Sequence, residues 1–158
     1  MDALFSFKNT YTVNDSIENV SAQIKSIAEK RWYDFSKNIT GKVKEDGSFK
    51  LTPKWTFGYA SGFDGSDLTY LFGKLTAENN KTIIKINTRP NYAGVFFFYF
   101  LILLLILKIA GFNILPDVKL VYMICLAPLF CFILALVMIF GVIRLRIRFE
   151  RLMELTGK

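Results

Sequence analysis

The sequence predicts an α+β domain, a two-helix transmembrane hairpin and a short basic amphipathic C-terminal helix. Three observations predict it. Charge is segregated: from Tyr92 to Ile143 only Lys108, Asp117 and Lys119 are charged, whereas residues 1–91 mix apolar, polar and turn residues. A water-soluble domain interleaves the two kinds so that each element keeps a wet face. Within residues 1–91, period-two alternation recurs in several short runs, and one run alone has helical spacing.

The first run, LFSFKNTYTV, sets Phe5, Phe7, Tyr11 and Val13 against Ser6, Lys8, Thr10 and Thr12. That is the alternation of a half-buried strand. NDSIENVSAQIKSIAEKRW comes next, with Asp15 as a candidate cap and Glu18 three residues on. This is the spacing of a capping box, in which a side-chain oxygen meets the exposed amides of the first turn. Ile17, Val20, Ile24, Ile27 and Ala28 then recur at helical spacing, so a helix from Ser16 to Arg31 should bury Val20, Ile24 and Ile27.

ITGKVKEDGSFKLTPKW reads as a hairpin turning at Asp46-Gly47. LTYLFGKLTAENNKTIIKINTRP reads as a second, turning near Glu78 to Asn80. Between them WTFGYASGFDGSD is rich in glycine and polar residues and reads as a long loop. The order is therefore β-α-β-β-β-β: an antiparallel sheet of about five strands with one helix on one face. Thr88-Arg89-Pro90-Asn91 is the whole linker between this domain and the first apolar span, which should hold the domain against the membrane.

Residues 93–112 would span about 30 Å as a helix, the thickness of the hydrocarbon core. Lys108 lies close enough to the end of that span to snorkel to the headgroups. Residues 120–143 carry no charge at all. Pro128 falls inside this second span, where it removes a hydrogen bond and favours a kink. The short connection 113–119 makes the two helices antiparallel neighbours, with both chain ends on one side. Lys85 and Arg89 precede the hairpin and Arg144, Arg146, Arg148 and Arg151 come after it, while the connection holds Lys119 against Asp117. The positive-inside bias then places both termini in the cytoplasm, in a multi-pass protein of a bacterial inner membrane. MDALFSFKN has no basic segment followed by an apolar one, so no signal peptide is expected.

The organisation expected is thus 1–91 as the cytoplasmic domain, 92–143 as the hairpin and 144–158 as a basic tail. In the tail, Leu145, Phe149 and Leu152 share one helical stripe and Arg144, Arg148 and Arg151 another. With Arg146, these arginines suit a membrane surface or the cytoplasmic domain. The net charge of +7 is spread over all three regions, with 13 Lys+Arg against 10 Asp+Glu in residues 1–91. Nucleic acid is therefore not expected as a partner.

Little catalytic chemistry is available. The chain has no histidine, which removes histidine bases, Ser-His and Cys-His pairs and the commonest metal ligand. Cys125 and Cys131 both fall in the second span, and no nucleotide-binding glycine loop occurs. The sequence thus suggests no enzyme, no cofactor and no metal. The candidate binding residues lie in the loop: Trp55, Phe57, Tyr59 and Phe63 as an aromatic lip, with Asp64 and Asp67 as paired carboxylates. Both sets have plainer readings, the aromatics as sheet core and the carboxylates as turn residues. The function this suggests is a membrane-anchored interaction module with the bilayer and a membrane or cytoplasmic protein as partners, and with self-association open. The alternative is an accessory subunit of a larger transport or secretion complex, with the hairpin as the assembly element.

Overall fold

A computed structural model describes residues 5–28, 38–53, 55–56, 59–60, 68–78, 81–112 and 119–155. The elements run β1 (Phe7–Val13), α1 (Ile17–Ala28), β2 (Ile39–Val43), β3 (Ser48–Pro53), β4 (Trp55–Thr56) and β5 (Tyr59–Ala60). They continue with β6 (Thr69–Glu78), β7 (Lys81–Pro90), α2 (Tyr92–Ile109) and α3 (Leu120–Leu152). Five strands form one antiparallel sheet in the order β1-β7-β6-β3-β2, and β4 with β5 forms a separate two-stranded ribbon. That ribbon lies where a long loop was expected. Its residues, Trp55, Thr56 and Tyr59 among them, have high strand propensity.

Pairing residues share a face, so the register sorts the sheet cleanly. The inner face carries Phe49 and Leu51 of β3, Leu71 and Leu75 of β6, and Ile84 and Ile86 of β7. All are buried. The helix α1 covers part of this face with Val20, Ile24, Ile27 and Ala28, the face expected from its periodicity. Its cap sits one residue later than expected. Ser16 Oγ accepts from the Asn19 amide at 3.3 Å, and the Ser16 carbonyl accepts from Val20 N at 3.1 Å. Asp15 instead braces the turn, accepting from Ser16 N and Asn19 Nδ2.

The β2–β3 connection also differs from a two-residue turn. The Gly47 amide donates to the Lys44 carbonyl at 3.2 Å, and Gly47 has φ +76°. This is a turn followed by a left-handed residue, the three-residue hairpin loop that glycine enters without steric cost. Asp46 Oδ1 accepts from Ser48 N and Oγ, and these bonds hold its carboxyl below the usual range. In the second hairpin the ladder runs to Glu78↔Lys81, and residues 79–80 of the expected turn lie outside the described residues.

The linker into the helices is shorter than expected. Because β7 keeps pairing through Arg89↔Tyr70 and Pro90↔Thr69, only Asn91 separates strand from helix. Asn91 closes the junction in two ways: its amide donates to the Leu68 carbonyl, and its side chain caps α2 by accepting from Ala93 N at 3.0 Å. α2 stops at Ile109 rather than 112, because Gly111 takes φ +88°. The Phe112 and Gly111 amides then reach back to the Leu107 and Lys108 carbonyls, closing the helix end as a Schellman motif.

α3 continues unbroken through Pro128 and through the tail to Leu152. Its first half lies beside α2, where Phe97 meets Phe130 edge-on at 6.3 Å. Its last turns press on the sheet, burying Leu145, Phe149 and Met153. Phe149 stacks on Phe49 at 5.8 Å, and Phe49 lies over Gly73, its partner in the ladder. A Cβ on Gly73 would fall 2.0 Å from the Phe49 ring, so glycine is what admits this stack. The sheet core thus draws on the C-terminal turns of α3 as well as on residues 1–91.

Candidate functional site

The residues singled out in the loop are only partly placed. Trp55 pairs with Ala60 and Tyr59 with Thr56 in the short ribbon, while Phe57, Phe63, Asp64 and Asp67 lie outside the described residues. Of the tail arginines, Arg144 and Arg151 are exposed. Arg148 Nη1 donates to the Asn38 carbonyl at 3.4 Å, and burial lowers its pKa, with Arg144 and Arg151 adding repulsion. Arg146 turns toward β1, its guanidinium 5.9 Å from the Phe7 ring centroid.

Arg146 belongs to a polar cluster between α3 and β1. The Tyr11 hydroxyl donates to Glu150 Oε1, and Arg146 Nε lies 3.4 Å from the same oxygen. Arg146 Nε makes no hydrogen bond there, and the pair is an ion pair. Burial pushes the Tyr11 pKa up, and donation to Glu150 pushes it further. The sign of the consequence is fixed. In the unfolded chain Tyr11 ionises near pH 10, whereas the folded chain keeps its proton, so stability falls as pH rises above about 10. Tyr11→Phe should lose less stability than wild type between pH 9 and 11. Equal losses in denaturant titrations of the two proteins would remove Tyr11 from this role.

A chemically distinctive surface is the sheet's other face. Neither α1 nor α3 covers it. Register places Lys42 opposite Lys50, Lys50 opposite Phe72, Phe72 opposite Asn87, and Asn87 opposite Lys8. This is one row across all five strands. The next row sets Lys74 opposite Lys85. The two rings at the centre are topped by cations: Lys50 Nζ sits 4.0 Å from the Tyr70 centroid, and the Arg89 guanidinium 4.5 Å from that of Phe72. Among the described strand residues, the one carboxylate on this face is Glu78, at its far end.

Sequence reading missed this face. Each lysine alternates with apolar residues as any solvated strand position would, and only the register aligns them. No protein-family model, curated protein or solved structure matches the chain. The chemistry of the surface is therefore the guide to its use. It offers fixed cations on an amphipathic bed, which suits binding.

The hairpin surface is equally distinctive. α2 buries none of its side chains, and Phe96 and Phe132 are 71% and 61% exposed. Both helices are long and apolar enough to cross a membrane.

Proposed function

We propose that the chain is an integral membrane protein whose α2–α3 hairpin crosses the bilayer and holds the sheet at the cytoplasmic surface as an interaction module. The exposed apolar surface of the hairpin carries this reading. A helix of this composition in a soluble protein would be buried in a core, whereas here large side chains from Phe96 to Phe140 stand open. Such a surface far exceeds the isolated patches that water tolerates.

The dimensions support it. The 18 residues of α2 rise about 27 Å, and the 33 of α3 about 50 Å. α3 is thus long enough to cross roughly 30 Å of hydrocarbon and still reach down the sheet. Both ends of the hairpin carry a tyrosine beside a cation, the pairing suited to headgroup level. At one end Arg89 lies 4.0 Å over the Tyr92 ring; at the other Lys119 precedes an exposed Tyr122. Together with the arginines after residue 143, this arrangement favours both termini on the cytoplasmic side.

Alkaline carbonate extraction of membranes from cells making the full chain tests the reading. The protein should stay with the bilayer through the wash and leave only with detergent. Release by carbonate alone would refute it.

A further inference from the structure

We infer that the open face of the sheet is a docking surface for an extended, acidic protein segment. The inference rests on reading the sheet as an interaction module and names its partner. The decisive observation is a cost the fold accepts. Lys42↔Lys50 and Lys74↔Lys85 are cross-strand neighbours of like charge, an arrangement that disfavours the sheet. Stability alone would favour a lysine facing a carboxylate. Asp46 of the β2–β3 turn offsets part of the charge on Lys74, but a sheet that holds two such pairs on a face that neither α1 nor α3 covers is arranged for charge supplied from outside.

The shape fits a chain. At about 4.8 Å between strands, the row from Lys42 to Lys8 is roughly 19 Å long. A groove of about 370 Å³ lies over the β1-β7-β6 part of this face, with Phe72, Thr10 and Asn87 between Lys8, Lys74 and Lys85. Carboxylates on alternate residues of an extended peptide could meet the cations while apolar residues between them rest on Phe72 and the lysine stems.

Other occupants fit less well. With the hairpin in the bilayer, headgroups would first meet the end of the face nearest the hairpin. At about 3.3 Å per residue along β7, Lys85 lies roughly 17 Å and Lys81 roughly 30 Å from Pro90. Single-stranded nucleic acid gains from bare aromatic faces on which bases stack. Here Lys50 and Arg89 occupy the rings of Tyr70 and Phe72. A second copy of this face would repel the first.

The test uses the full chain in nanodiscs of neutral lipid. Three probes are titrated: a fluorescent peptide of alternating glutamate and leucine, oligothymidylate, and vesicles containing phosphatidylglycerol. The peptide should bind, and should weaken about tenfold as salt rises from roughly 0.1 to 1 M and the screening length shrinks from about 10 to 3 Å. Lys74→Glu with Lys85→Glu should weaken it by roughly tenfold or more. Lys25→Glu, on the exposed side of α1, should leave it unchanged. Because charge reversal could disturb folding, Lys74→Gln with Lys85→Gln provides a second measure. This variant should melt no lower than wild type, since it removes a like-charge pair, and should still bind the peptide more weakly. The inference fails if the peptide does not bind, or if neither double variant changes its affinity. It also fails if oligothymidylate or the vesicles bind instead and lose binding in the same variants. Membrane extraction is read separately, so failure here leaves the anchoring question untouched.

Discussion

Phe149→Ala is expected to destabilise the sheet by about 3–5 kcal/mol, the range for deleting a large buried aromatic side chain. Phe149 is completely buried, and its ring stacks on Phe49, which lies across Gly73. Truncation would leave a cavity that neither neighbour can fill, because Phe49 is held from below by β6. Against a typical domain stability of about 5–15 kcal/mol, the loss is large enough to leave the sheet partly unfolded. Ile147→Ala, two residues away on the exposed side of the same helix, should change little. Hydrogen exchange of β3 and β6 amides in detergent-solubilised full-length protein reads both. Protection unchanged in Phe149→Ala would mean that the last turns of α3 do not belong to this core.

Ile24→Ala should cost about 2–5 kcal/mol for a related reason. Ile24 is fully buried in the middle of the α1 face, between Val20 and Ile27. Ser26→Ala, on the exposed side, should have a small effect. Its hydroxyl donates to the Gln23 carbonyl at 2.8 Å, a local bond that contributes little to a helix interior. Denaturant midpoints for the two variants decide it. Equal shifts would mean that α1 presents a different face to the sheet.

Ile24 and Phe149 also mark how far the sequence could be read. The α1 face was legible because a helix that covers a sheet must repeat its apolar residues every three to four positions, and this one does. The half-buried strands were legible from alternation for the same reason, and the hairpin from the segregation of charge. The tail was harder. RLRIRFERL alternates like a strand and has a helical stripe as well, and the stripe alone cannot say what it packs on. The structure buries Met153 beside Leu145 and Phe149, with Leu152 only half-buried.

Strand order was out of reach in principle. β1 pairs with β7, so Phe7 meets Thr88 across most of the first 91 residues, and nothing local encodes that. The basic face results in part from the order. Lys74 and Lys85 face each other within the β6–β7 hairpin, but Lys50 joins them only because β3 lies beside β6. Gly73 shows the same limit. In the sequence it looks like a weak point in a strand; in the fold it is the seat of Phe49.

In the proposed topology α2 and α3 cross a bilayer with the sheet on the cytoplasmic side. Single cysteines test it most directly, in full-length protein whose own Cys125 and Cys131 have been replaced by alanine. Lys119→Cys samples the hairpin turn and Lys25→Cys the sheet domain; both positions are exposed. Spheroplasts are treated with a membrane-impermeant maleimide. Lys119→Cys should be labelled in intact spheroplasts, and Lys25→Cys only after detergent opens the membrane. Labelling of Lys25→Cys before detergent, or of both positions alike, would contradict that topology.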